Sequence, residues 1–115
     1  MEFNESNIRP WGYYKVLSDE KSHKVKRIVV NNNKRLSLQK HLKRNEHWYI
    51  ISGIGLMTLN KKEFEIKSGD SINIPIENEH RVKCLSDEPL IFIEVQTGSY
   101  FGEDDIIRLE DDFGR

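Results

Sequence analysis

Five short runs dominate the chain, and their apolar residues follow a period of two rather than 3.6. VKRIVV (Val25 to Val30), WYIIS (Trp48 to Ser52), IGLMTLN (Ile54 to Asn60), SINIPI (Ser71 to Ile76) and PLIFIEVQ (Pro89 to Gln96) are rich in β-branched and aromatic residues. Successive side chains of a strand point to opposite faces, so this composition and spacing select strands over helices. Turn chemistry separates the runs: Asn31-Asn32-Asn33, Ser52-Gly53, Asn60-Lys61-Lys62, Lys67-Ser68-Gly69-Asp70 and Ser86-Asp87-Glu88-Pro89. Strands repeating every 8–12 residues or so, joined by polar turns, predict a β-sandwich or barrel. The tail GEDDIIRLEDDFGR departs from the pattern; it is acidic and predicts a helical turn or an ordered arm.

The size and charge of the chain narrow the function. At 115 residues it reads as one domain, 1–115, large enough to bury a core without staples. A net charge of −1, from charged residues of both signs, gives no sign of a nucleic-acid or membrane surface. The single cysteine, Cys84, forms no internal disulfide and fits a reducing compartment. The opening MEFNESNIRP has no apolar run of a signal peptide, and no segment approaches the ~18 consecutive apolar residues of a membrane span. The expectation is a soluble, cytoplasmic protein.

The stretch SLQKHLKRNEHW, Ser37 to Trp48, is where chemistry concentrates. If Arg35 to His41 is a strand, Ser37, Gln39 and His41 share one face, with Leu36 and Leu38 on the other. Lys43-Arg44-Asn45 then turns, and Glu46 begins the returning strand, near His41 across the hairpin. Further on, Gly69 to Pro75 leads through a short turn to His80 on another strand. Either these are solvated polar groups, or an amide oxygen, two imidazoles and a carboxylate face one interior. In the second case the N and O donors suit zinc, and also iron, cobalt or manganese. Pattern alone leaves both readings open.

The same residues carry a family resemblance. Gly69, Pro75 and His80 resemble the second motif of the cupin superfamily, with Glu77 where a glycine is usual. The first motif has Gln39-Lys40-His41 followed by Glu46 in place of His-x-His with a downstream Glu, which resembles the mannose-6-phosphate isomerases, whose metal is held by Gln, His, Glu and His. Arg9-Pro10-Trp11-Gly12, Val25 to Ile28, Arg35 to Gln39, Glu46-His47-Trp48, Phe92 to Gly98 and Gly102 to Ile106 are similar to the type II isomerase domain. That domain usually forms the C-terminal part of a bifunctional enzyme with mannose-1-phosphate guanylyltransferase. No nucleotidyltransferase domain precedes it here, so guanylyl transfer is not expected.

The resemblance implies an all-β cupin jelly roll, a double-stranded antiparallel β-helix of eight to ten short strands. It implies a divalent metal, zinc foremost, on Gln39, His41, Glu46 and His80, and interconversion of mannose 6-phosphate and fructose 6-phosphate. In that reaction a proton moves between C1 and C2 through an enediol; a metal stabilises the developing oxyanion, a base takes the proton, and a cation clamps the phosphate. An Asp and an Arg at the spacing of Asp104 and Arg108 lie near the substrate in the family, so the tail is expected to fold over the barrel with Asp104 holding the Arg108 guanidinium. Glu94 and Lys26 are further catalytic candidates, from their strand positions. The expected partners are a small sugar phosphate and a second copy of the chain, since cupins of this size commonly pair edge strands. The alternative is a cupin that binds a sugar or sugar phosphate without catalysis.

Other polar and aromatic residues have plainer readings. Alternation sends His47 away from Glu46, to the surface or behind the ligands. His23 reads as a loop residue, and Lys43 and Arg44 as cover for the turn. Trp11, Trp48 and Phe92 read as core rather than sugar platforms, and Cys84 as a small buried hydrophobe. Glu77 must avoid the left-handed turn that a glycine permits, or bear its strain.

Overall fold

A computed structural model describes residues 7–114. Among the described residues eleven strands form: β1 (Ile8–Arg9), β2 (Gly12–Asp19), β3 (His23–Val30), β4 (Leu38–Lys40), β5 (Arg44–Ser52), β6 (Ile54–Leu59), β7 (Lys62–Lys67), β8 (Ser71–Ile74), β9 (His80–Cys84), β10 (Leu90–Gly98) and β11 (Ile107–Glu110). All five runs singled out by their period become strands. The count exceeds the expected eight to ten, and two of the strands, β1 and β4, have only two and three residues. Asn60 and Lys61 both take positive φ (48° and 70°), the signature of a two-residue type I′ hairpin, so β7 starts at Lys62. His23 lies at the start of β3 rather than in a loop.

The strands pair antiparallel in two sheets. One has the order β1-β2-β3-β10-β5-β8 and the other β11-β4-β9-β6-β7. This is the double-stranded antiparallel β-helix, and no α-helix occurs among the described residues. The acidic tail is an arm, not a helical turn: β11 adds to the edge of the smaller sheet against β4, pairing Ile107 with Lys40 and Arg108 with Gln39. Only the centre of the expected Arg35–His41 strand forms a ladder, with Arg35 making an isolated bridge to Lys83.

Cross-strand register explains why one end of the barrel is dry and the other polar. Directly opposed residues of an antiparallel pair share a face. On the large sheet, Phe92 stands between Ile28 and Ile50, an all-apolar row. One step along, Glu94 stands between Lys26 and Trp48, and the next row places Gln96 beside Glu46. On the small sheet the rows run Gly55 with Cys84, Met57 with Val82, then Leu59 with His80 and Gln39. The core therefore fills the apolar end, where Val30, Ile50, Met57, Val82, Leu90 and Phe92 are fully buried, and charged groups gather at the other mouth.

Two turn residues hold that mouth. Gly98 ends β10 at φ +141°, and a Cβ there would stand 2.3 Å from the carbonyl oxygen of Lys43, so only glycine lets β10 approach the start of β5 this closely. Glu77 does not avoid the left-handed region: its φ is +69°, and its N–H donates to the carbonyl of His41 at 2.8 Å. A non-glycine residue there bears a cost of about 1–2 kcal/mol, against about 0.5–1 kcal/mol of extra chain entropy for glycine. Glu77→Gly should therefore leave stability unchanged or raise it by up to about 1 kcal/mol. Urea unfolding measures this, and a clear loss of stability would show that the Glu77 side chain contributes something the turn requires.

Candidate functional site

Alternation along β5 buries Arg44, Glu46, Trp48 and Ile50 on one face. Glu46 is thus carried inward by the same period that seats Trp48 in the core, stacked on Phe92 with centroids 4.2 Å apart. From the opposite sheet, β9 brings His80 inward, and Gln39 of β4 pairs with it in register. His41, just past β4, is also buried. Ligating atoms of His41, Glu46 and His80 all lie within 4.8 Å of one another, slightly wider than a metal-filled centre requires.

The carboxylate of Glu46 is the hub. Its Oε1 accepts from the indole Nε1 of Trp48 at 3.0 Å, and His80 Nε2 lies 3.6 Å away. Its Oε2 accepts from Arg44 Nε at 3.0 Å and lies 2.9 Å from Arg44 Nη2 and 3.0 Å from His41 Nε2. Burial opposes a charged carboxyl, yet His41, His80 and Arg44 outweigh it and hold Glu46 well below the usual carboxylate range. The two imidazoles shift in opposite directions. Burial dominates at His80 and lowers its pKa. At His41 burial is overcome by the closer Glu46, and the pKa rises.

Both rings are aimed from behind. His80 Nδ1 lies 2.9 Å from the carbonyl of Asn78, and His41 Nδ1 lies 2.5 Å from the carbonyl of Asp105. A carbonyl only accepts, so each Nδ1 carries the hydrogen and each Nε2 faces Glu46. Deprotonated at Nε2, the two imidazoles would join the carboxylate and the neighbouring Gln39 amide in a donor set fitted to a divalent metal. The hydrogen bonds of Gln39 use its amide nitrogen, which donates to Ser37.

A cavity of about 70 Å³, room for several waters, opens beside this cluster. Its wall includes Arg9, Lys26, Arg44, Arg108, Gln39, Glu94 and Glu103, over the apolar Trp11, Ile28 and Leu36. His41, Glu46 and His80 are not in that wall; Arg44 belongs to both groups, with Nη2 also 3.2 Å from His41 Nε2. Its Nη1 is buried with no hydrogen-bond partner among the described residues. Glu94, in the wall, accepts from Gln96 Nε2 at 2.5 Å, and burial followed by the nearby Glu46 charge pushes its pKa up to about 8. Lys26 is buried, ion-paired to Glu103 at 2.5 Å and set over the Tyr14 ring.

The structure thus brings together His41, Glu46 and His80, places Gln39 opposite His80, and puts Glu94, Lys26 and Arg108 in one cavity wall. It does not join Asp104 to Arg108. Asp104 lies on the solvent side of the arm, where it accepts from the Tyr100 hydroxyl at 2.5 Å. Arg44 is the residue that sequence reasoning misplaced. It does not cover a turn but opens β5 at 6% exposure, and its shared parity with Glu46 and Trp48 was the available signal. Arg9 and Tyr14 were passed over, because nothing local to them points at a site across the barrel. His47 faces out, as alternation requires.

Residues 1–111 match the family described as mannose-6-phosphate isomerase C-terminal. The chain belongs to this family. It is 47% identical over 107 residues to the alginate biosynthesis protein AlgA of Pseudomonas aeruginosa, covering 93% of this chain and 22% of AlgA. It is 43% identical to a mannose-1-phosphate guanylyltransferase of Klebsiella pneumoniae, over 93% of this chain and 23% of that protein. The chain therefore spans less than a quarter of the length of these relatives. In fold it is similar to a conserved double-stranded β-helix protein of Klebsiella pneumoniae, with a TM-score of 0.76, 19% identity, and coverage of 96% of this chain and 97% of that one. The architecture is the cupin jelly roll.

Two outcomes follow from the electrostatics of this isomerase-family domain. Arg44→Met strips the guanidinium from a buried carboxylate, so the metal-free protein should lose about 3–5 kcal/mol in urea unfolding; an unchanged midpoint would mean the two histidines suffice. Glu94 holds its proton to about 8 in the folded protein but releases it near 4.5 when unfolded. Between those values the unfolded chain binds fewer protons, so this group costs stability as pH rises, by up to about 1.4 kcal/mol per unit. Glu94→Gln should therefore gain on the parent protein between pH 5 and pH 8. A difference that stays flat across that range would place Glu94 in its charged form.

Proposed function

We propose that the chain is a metal-dependent mannose-6-phosphate isomerase, interconverting mannose 6-phosphate and fructose 6-phosphate. The observation that carries this reading is the position of Arg44, which ties a buried His–Glu–His cluster to a cavity walled by cations, the Lys26-paired Glu103 and the Glu94 carboxyl with its raised pKa. Held by His41, Glu46 and His80 beside Gln39, a divalent ion (zinc foremost, with cobalt, manganese or iron suited by the same donors) supplies Lewis-acid polarisation of the sugar's oxygens. His41 Nε2 and Glu46 Oε2, two of the atoms that would hold the metal, here engage Arg44 Nη2, and Arg44 also lines the cavity.

The remaining tasks fall to the cavity wall. Glu94, with its pKa raised to about 8, has both protonation states within reach near neutral pH and is the group we assign to proton transfer between C1 and C2. Lys26 and Arg108 supply the phosphate clamp, with Glu103 holding Lys26 until a phosphate takes its place. Trp11, Ile28 and Leu36 limit water at the reacting carbons. Asp104 has no step of its own and braces the arm through Tyr100. A homodimer and a cytoplasmic location belong to the same proposal. The outward face of β5, where Tyr49 and Ile51 are about half exposed, supports the first, and the free Cys84 the second.

The purified protein, supplied with zinc, cobalt and manganese in turn, should form fructose 6-phosphate from mannose 6-phosphate in a coupled assay. Arg108→Ala should keep its fold and metal while losing a charge-assisted contact of about 1.5–3 kcal/mol, a fall of about 10- to 150-fold in kcat/KM. Full activity in that variant would make Arg108 a bystander. Binding of the sugar phosphate with no turnover under any metal would replace the enzyme with a non-catalytic sugar-phosphate-binding cupin.

A further inference from the structure

The two histidines that face Glu46 are aimed by different means. His80 is oriented locally, by the carbonyl of Asn78 two residues before it. His41 is oriented by a residue 64 positions later, in the arm between β10 and β11. That residue, Asp105, makes three contacts with three consecutive residues beyond β4. Its carbonyl accepts from His41 Nδ1 at 2.5 Å, its Oδ1 accepts from the backbone N–H of Leu42 at 3.1 Å, and its Oδ2 accepts from that of Lys43 at 3.0 Å. The side chain therefore pins the turn while the main chain pins the ring. Asp105 is itself buried, although its neighbours Glu103 and Asp104 are exposed.

The arm is firmly seated, so this contact is not that of a loose end. Arg35 reaches Asp112 with two bonds of 2.6 and 2.7 Å, Arg81 lies 3.3 Å from Glu110, and β11 pairs with β4. We propose that Asp105 is the positioning residue for His41, presetting Nε2 as the ligating nitrogen, so that the metal centre is complete only when the C-terminal arm is docked. The proposal rests on the reading of His41, Glu46 and His80 as a metal centre. Asp105 touches neither metal nor substrate; it acts by removing the choice of ring orientation and tautomer that a free His41 would retain. Outer partners of this kind change metal affinity by about 10- to 100-fold when removed.

The test uses cobalt(II) as probe, followed by titration and by its visible absorption, with folding checked by circular dichroism. Asp105→Ala should weaken cobalt affinity about 10- to 100-fold and alter the absorption spectrum. Asp105→Asn, which keeps one oxygen for an amide of the Leu42–Lys43 turn, should recover part of the affinity, and it carries the test should the alanine variant fail to fold. Ile66→Ala truncates a buried core residue on β7 and should lower stability while leaving cobalt affinity and spectrum unchanged. Without metal, nitrogen NMR of the imidazoles should show His41 Nδ1–H held in its hydrogen bond in the parent protein and exchanging with solvent in Asp105→Ala, which keeps the carbonyl but loses the side-chain anchors that hold it behind the ring, with His80 unaltered. An unaltered His41 Nδ1–H in Asp105→Ala, or an equal loss of cobalt affinity in Ile66→Ala, would overturn the proposal. If the parent protein binds no cobalt, the metal reading fails, and the nitrogen measurement alone decides whether Asp105 positions His41.

Discussion

A carboxylate at 2% exposure survives only if its charge is answered from within the protein, and Glu46 is answered from four directions. Trp48 and Arg44 reach it along its own strand, while His41 and His80 come from the facing sheet. The polar mouth is organised around this one charge. It draws His41 up and leaves Arg44 charged despite burial, and it helps keep Glu94 neutral one row away. A buried ionic cluster of this kind is weak evidence for stability, since apolar residues of equal volume would serve the fold as well or better. Its place at the end of a barrel, beside a cavity with room for several waters, fits a site more readily than a core.

The jelly roll makes that cluster affordable. Apolar rows such as Ile28, Phe92 and Ile50 close one end of the barrel, so the polar rows above them rest on a dry floor. Two sheets facing each other allow donors from strands far apart in sequence to meet over a few ångströms. The arm adds the last element: by pairing with β4 it lays Arg108 across from Gln39 and brings Asp105 behind His41. The arm is thus part of the construction of the polar mouth and not a cover added to it.

Much of this was legible beforehand where it depended on alternation. The runs around Val25, Trp48, Ile54, Ser71 and Leu90 announced their strands, and parity alone sent His47 outward. Arg44 was lost to a boundary error. Its flanking Lys43 and Asn45 resemble a turn, whereas β5 starts at Arg44 because Gly98 lets β10 pair with it there. Asp104 and Asp105 could not be told apart by composition. The bend that turns one toward His41 and the other toward Tyr100 is decided by where β11 docks.

The sequence by itself determined the period-two strands, their separation by Gly- and Asn-rich turns, and the motif residues whose spacing resembles the isomerase family. These are local properties: side-chain alternation and turn conformation depend on neighbours a few residues away. Only the tertiary structure decided that Arg44 stands between the His–Glu–His cluster and the cavity, that Glu94 keeps its proton, and that Asp105 aims His41. Each of these is set by burial and by distances between groups brought together from separate strands. A pKa or a ring orientation responds to that three-dimensional surrounding, whatever the order of residues along the chain.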